Sequence, residues 1–340
     1  MNVSKAKPSV LVTMQRPLYE RLTTVDARRK LKALAGDLVA NHSETPWDSD
    51  EVIARIGGAS AVISSWGSCV FDRRVLDAAP ALEIICYAAG SVRTMAPPHV
   101  FERGIKVTHA AQLIAESVAE FTLMVALILL RGLHHYQDTF RQGGWNELPA
   151  EAAPARELYG KQYGIVGASM VGKSLVRLLR PFDVHICVHD PYLGDDDAQS
   201  LGVRRIALDE LMATCDVISL HAPMTAETEG LINEKMIRSI KDDAVFINNA
   251  RSWLVDSAAM LEELQKERFD TALDVFDEEP LEAKHPLRCL TRTLLTPHLA
   301  GRTAESHSRL AGAMIDELER YFRGEPLRYE VTPDMLASMA

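Results

Sequence analysis

No basic stripe runs through the 340 residues, whose formal net charge is −10, so nucleic acid is not an expected partner. Cysteine is sparse. Cys69, Cys86, Cys187, Cys215 and Cys289 are scattered, odd in number and include no C-x-x-C pair. That pattern offers no disulfide framework and points to a reducing, cytoplasmic compartment. The start, MNVSKAKPSVLVTM, lacks the apolar core of a signal peptide. The most apolar run, FTLMVALILL at 121–130, is shorter than a bilayer span and follows Glu116 and Glu120. It reads as a buried helix, and no membrane partner is expected. No histidine, cysteine and carboxylate set has metal-ligand spacing, which predicts that no metal is bound, and the His134–His135 pair reads as structural. Internal repeats and low-complexity tracts are also missing.

What remains is a chain long enough for two cores, with 47% hydrophobic residues arranged as alternating strand-like and helix-like pieces. The first series of strands is SVLVTM (9–14), DLVAN (37–41), SAVISS (60–65), LEIICYAA (82–89) and KVTHA (106–110). A long helical pattern follows from about Ala115 to Phe140 and stops at Gln142-Gly143-Gly144, with Pro149 and Pro154 marking a linker-like break. The second series is QYGIVG (162–167), VHICVHD (184–190), DVISLHA (216–222), AVFINNA (244–250), TALDVF (271–276) and TLLTP (293–297). The last helix, 303–323, ends at Gly324. Short apolar runs alternating with amphipathic helices predict an α/β fold made of two doubly wound parallel-sheet domains.

Residues 164–174 read G-I-V-G-A-S-M-V-G-K-S between a strand and a helix, and two motifs claim them. Gly167, Gly172, Lys173 and Ser174 satisfy the P-loop pattern. Gly167 and Gly172 are equally the outer glycines of G-x-G-x-x-G, with Ser169 in the middle position. Context favours the dinucleotide reading. Asp190 ends the next strand, about 20 residues on, where an acidic side chain meets ribose hydroxyls and repels a 2′-phosphate. A P-loop enzyme also needs a carboxylate for Mg²⁺, and DVISLHA ends in His221 instead. Ser169, Met170 and Val171 then open the helix against the phosphates.

Arg251, Glu279 and His298 each lie just past a short apolar run, and ligands of open α/β sheets bind outside the carboxyl ends of strands. A guanidinium makes paired hydrogen bonds to planar oxygen groups and stays charged. Histidine is the natural proton carrier near neutral pH, and a neighbouring carboxylate stabilises its protonated form and fixes the ring. Together they can bind a carboxylate substrate and move a proton.

These pieces resemble the D-isomer-specific 2-hydroxyacid dehydrogenases over nearly the whole chain. The matching segments, in the family's order, are AAGSV (88–92), 104–131, the glycine loop with HDPY, LHAPMTAETEGLIN (220–233), INNARSWLVD (247–256), ALDVFDEEPL (272–281) and LLTPHLAGRT (294–303). The resemblance implies a flavodoxin-like substrate domain (1–112 plus 304–340) and a Rossmann-type NAD-binding domain (113–303). It implies NAD as cofactor, contacted by Gly167, Ser169, Met170, Val171, Gly172, Asp190, His221, Ala222, Pro223, Thr228 and Ala250, with Asp274 on the nicotinamide carboxamide. Arg251 would grip the substrate's carboxylate and carbonyl, His298 would be the acid/base, and Glu279 its partner. The backbone of Gly90, Ser91 and Val92 would meet the substrate carboxylate. A homodimer through a helical arm at 115–145 is also implied, as is turnover of a small D-2-hydroxy or 2-keto acid.

Three positions depart from the family pattern. Ser169 replaces the middle glycine, Ser252 follows the arginine where glycine is usual, and AAGSVRTM replaces a glycine-valine-aspartate pattern. The rival function is an NAD(H)-binding regulator of the same fold without turnover. The intact Arg251–Glu279–His298 trio argues against it, because a pure binding module needs no proton relay.

Overall fold

Strands buried on both faces need apolar residues at every position, and the runs named above supply them. The computed structural model describes residues 7–145 and 154–339, so Pro149 lies outside the described residues. The chain divides into two compact units, Met1–Ile114 with Arg302–Ala340, and Ala115–Gly301.

In the first unit β1 (Ser9–Val12), β2 (Asp37–Ala40), β3 (Ala61–Ser64), β4 (Ile84–Tyr87) and β5 (Lys106–His109) pair in parallel in the order β5-β4-β3-β1-β2. Read from the other edge this is 2-1-3-4-5, the flavodoxin-like order. The second unit holds β6 (Gln162–Val166), β7 (His185–His189), β8 (Arg204–Arg205), β9 (Val217–Leu220), β10 (Val245–Asn248), β11 (Asp270–Leu273) and β12 (Thr293–Leu295). Their order, β12-β11-β10-β9-β6-β7-β8, is the Rossmann 3-2-1-4-5-6 order with one strand added. In both sheets the central strands β3, β4, β9, β10 and β11 are buried at every position.

Two strands escaped the sequence reading. β8 is two exposed arginines at a sheet edge, without hydrophobic signal. β13 (Glu330–Val331) returns to the first sheet and pairs antiparallel with β5, so that sheet is mixed rather than purely parallel. The strand predicted at 271–276 is shifted and shorter, Asp270–Leu273, which leaves Val275 and Phe276 in the following loop.

The helical pattern at 115–140 is two helices, Ala111–Leu130 and Leu133–Arg141, because Gly132 takes the left-handed conformation at φ 60° between them. The first helix has 20 residues, longer than the apolar run it contains. By length and composition alone it is long and apolar enough to cross a membrane, a test that buried core helices also pass. Here its Ala119, Val125, Ala126, Leu129 and Leu130 pack against Tyr163, Ile165 and Val188 of the second sheet. The closing helix, Ala304–Arg323, starts on Thr303, whose hydroxyl accepts from the Ser306 amide at 2.9 Å, and stops at Gly324 with φ 72°. Its Leu310, Ala311, Met314, Ile315 and Leu318 face the core of the first sheet at helical spacing.

Candidate active site

β6 and β9 are sheet neighbours whose connections leave in opposite directions, which makes their carboxyl ends the switch point of the second sheet. The turn after β6 is built on Gly167, at φ 100°. A Cβ there would lie 2.6 Å from the Ala222 amide nitrogen, so the loops after β6 and β9 touch backbone to backbone. A Cβ on Gly172 would lie 2.2 Å from the Gly167 carbonyl oxygen, so the helix Met170–Leu179 can sit this close to the turn only with glycine there. Ser169 is the N-cap of that helix, and its hydroxyl oxygen accepts from the Gly172 amide at 3.4 Å. The serine in the middle position thus turns its oxygen inward, and the amides of Met170 and Val171 still open the helix. Asp190 closes the loop from the next strand: Oδ2 accepts from the Ala168 amide at 2.7 Å and Oδ1 from the Tyr192 amide at 2.8 Å. Each oxygen retains a second lone pair.

This cradle fits a dinucleotide better than a nucleotide with Mg²⁺. Ser174, which a P-loop enzyme would present to the metal, is buried in the helix and accepts from Arg177 at 3.0 Å. Across the switch point, His221 is buried and its Nε2 lies 2.9 Å from the Ser219 hydroxyl. Desolvation pushes its pKa down to about 3, so the ring is neutral. Thr228 is engaged within its own loop, donating to the Pro223 carbonyl at 2.7 Å and accepting from the Thr225 amide at 2.9 Å.

β10, β11 and β12 are consecutive in the sheet, and the predicted trio follows their carboxyl ends. Asn248, which the sequence reading passed over, ends β10 and shapes the first of these turns. Its Oδ1 accepts from the Ala250 amide at 3.1 Å and its Nδ2 donates to the Arg251 carbonyl at 2.9 Å. Arg251 then caps a short 3₁₀ turn, Ser252–Leu254, in which the unusual Ser252 needs no left-handed backbone. Burial lowers the Arg251 pKa, and the Glu279 carboxylate pulls it back up.

Glu279 stands six residues beyond β11, held by the Phe276 amide, which donates to Oε1 at 3.1 Å. Its other oxygen, Oε2, lies 2.7 Å from Nδ1 of His298. His298 takes a left-handed backbone, φ 51°, an uncommon conformation for this residue. Asp274, directly after β11, holds the loop that imposes it. Oδ1 accepts from the Thr296 hydroxyl at 2.7 Å and the Leu299 amide at 2.8 Å, and Oδ2 from the Ala300 amide at 2.9 Å. The carboxylate assigned to the carboxamide is therefore also the anchor of the histidine loop. A pocket of about 360 Å³ opens beside the Glu279 loop among Asn248, Ser252, Phe276 and Leu281, but the trio does not line it.

In the first unit, Gly90, Ser91 and Val92 follow β4. The Val92 side chain is buried. The Gly90 carbonyl lies 3.0 Å from Nδ1 of His109, and the Ser91 hydroxyl accepts from the Arg93 amide at 3.3 Å. A polar group that sequence spacing did not disclose is His134, His135 and Asp270, brought together from distant segments.

Switch-point glycines, a helix N-terminus and a strand-end carboxylate define a Rossmann-type dinucleotide-binding protein. Residues 123–300 match the model of the D-isomer specific 2-hydroxyacid dehydrogenase NAD binding domain. A glyoxylate reductase of Thermofilum pendens is 31% identical over 323 residues, covering 94% of this chain and 93% of its own. A hydroxypyruvate reductase of Blautia hydrogenotrophica is 28% identical over 301 residues, covering 87% and 92%. A crystal structure of a protein from Pyrococcus horikoshii OT3 superposes with a TM-score of 0.78 at 28% identity, over 97% of each chain. The chain belongs to the D-isomer-specific 2-hydroxyacid dehydrogenase family, and its cofactor is a nicotinamide dinucleotide.

Proposed function

We propose that the protein is an NAD-dependent reductase of small 2-keto acids, interconverting them with their D-2-hydroxy acids. The observation that carries this reading is the Glu279–His298 contact at 2.7 Å, beside Arg251, at three adjacent strand ends. The nicotinamide ring, when bound, gives or takes the hydride. The chain's own residues do the rest. Glu279 accepts at Nδ1 of His298, which fixes the tautomer and leaves Nε2 to exchange a proton with the substrate oxygen. In the reducing direction the imidazolium donates to the carbonyl oxygen as negative charge develops there; in the oxidising direction the neutral ring removes the hydroxyl proton. Arg251 pairs with the substrate's carboxylate and polarises its carbonyl, a contact that strengthens toward the transition state.

Gly167, Ser169, Met170, Val171 and Gly172 are assigned to the pyrophosphate, and Asp190 to the adenine-side ribose, which favours NAD over its 2′-phosphorylated form. His221, Ala222, Pro223, Thr228, Ala250 and Asp274 are assigned to the remainder of the cofactor, and the backbone of Gly90, Ser91 and Val92 to the substrate carboxylate. The similar glyoxylate and hydroxypyruvate reductases place two- and three-carbon keto acids first among substrates to try. Exposed Leu133, Phe140 and Trp145 on and after the second arm helix support a homodimer built through the 115–145 segment. Five free thiols fit a cytoplasmic location.

The test follows NADH absorbance with purified protein against a panel of 2-keto acids, with NADPH in parallel. Oxidation of NADH with one or two acids, lost in His298→Gln, is the expected result. NADH binding without turnover on any acid would instead favour a regulatory role.

A further inference from the structure

The amino end of β11 carries a second polar cluster, at the opposite end of the strand from Asp274. Asp270, the first residue of β11, is 2% exposed. It meets His134 and His135 of the helix Leu133–Arg141 so that one ligand atom from each residue lies within 4.8 Å of the others. Arg292 donates to Asp270 twice, Nε to Oδ1 at 2.9 Å and Nη2 to Oδ2 at 3.1 Å, and Arg156 donates to Oδ2 at 3.4 Å. The imidazoles have no such company. Nδ1 and Nε2 of His134 and Nε2 of His135 are buried without a hydrogen-bond partner, and His135 is only 6% exposed. Bare buried ring nitrogens are costly, and native proteins seldom gather three.

We propose that His134, His135 and Asp270 form a structural site for one divalent transition-metal ion, zinc by ligand chemistry. Two imidazoles and a carboxylate suit Zn²⁺, whereas Mg²⁺ and Ca²⁺ take oxygen ligands. Imidazole is ordinarily neutral above about pH 6.5 and then carries the lone pair a metal needs. Oδ2 of Asp270 accepts from both Arg292 and Arg156, but Oδ1 accepts from Arg292 alone, so Oδ1 keeps a lone pair with which the carboxylate can ligate while Arg292 orients it from behind. Charge also favours a dication. Asp138 and Glu267 act on the rings through space, and Asp243 pairs with Arg292. With Asp270 these make four carboxylates against the guanidiniums of Arg156 and Arg292, an excess that one divalent ion neutralises. The ion would tie the helix Leu133–Arg141 to the sheet and take no part in hydride transfer.

The experiment titrates chelator-treated full-length protein with zinc chloride by calorimetry, with Co²⁺ as a visible-absorbing probe and Tm as a parallel readout. One ion per chain, a Tm raised by zinc and Co²⁺ bands of mixed nitrogen and oxygen ligation are expected. His134→Ala and His135→Ala should each weaken binding at least about 100-fold, since even partners behind a ligand are worth about 10–100-fold. Both variants should keep wild-type turnover. Folded wild-type protein that binds no zinc, or a folded double variant that binds it with wild-type affinity, would overturn the proposal. Stoichiometry and affinity are read directly, so the outcome is independent of which keto acid, if any, the enzyme reduces.

Discussion

Nδ1 of His298 lies 2.7 Å from Oε2 of Glu279, although the two residues follow different strands and sit in separate loops. A carboxylate in that position commits one ring nitrogen and leaves the other free for chemistry. Replacing His298 with glutamine keeps a polar side chain and removes the proton carrier, so kcat should fall by about 10²–10⁴-fold. Circular dichroism should show an unchanged fold. Near-wild-type turnover in a folded His298→Gln protein would remove the assignment.

Arg251→Lys retains the charge and loses the paired geometry. A preorganised donor to developing oxyanion charge is worth about 10²–10³ in rate, and kcat/KM for the best keto acid should drop on that scale. The cofactor KM should move little, since the substrate is the group Arg251 is assigned to bind. Steady-state kinetics on both substrates decide this, and a kinetically silent Arg251→Lys variant would sink the role.

Asp190→Ala should raise the ratio of kcat/KM with NADPH to that with NADH by at least about tenfold, equivalent to about 1.4 kcal/mol. The ratio is the right observable because Asp190 also accepts from the Ala168 and Tyr192 amides. Loosening that loop weakens both cofactors together and cancels in the quotient. An unchanged ratio would show that Asp190 does not read the ribose.

His221 gives the protein an acid sensitivity of calculable sign. Its pKa is about 3 in the folded state, against about 6.5 for an unperturbed histidine. Between those values the unfolded chain binds a proton that the native protein does not. This contribution to stability is therefore complete above about pH 6.5 and is lost as pH falls toward 3. The slope approaches about 1.4 kcal/mol per pH unit. Chemical denaturation at a series of pH values should show a shallower acid decline for His221→Asn than for wild type. Parallel declines would refute the linkage.

Most strand positions were legible because parallel strands buried on both faces must be continuous apolar runs, as in Val245–Asn248. β8 and β13 were not, since two-residue edge strands carry no such run. The break at Gly132 was hidden because both flanking segments keep helical spacing, and only the left-handed backbone separates them.

The site divides in the same way. Sequence by itself determined the chemistry available: a glycine turn opening a helix, an acidic strand end, and a cation, carboxylate and imidazole after three apolar runs. Those are local facts, set by residue type and by spacing along one strand or turn. Only the tertiary structure decided which of them meet. Asp274 as anchor of the His298 loop and Asp270 beside His134 and His135 are contacts between distant segments. No spacing rule encodes them, because they depend on strand order and on where each loop returns across the sheet.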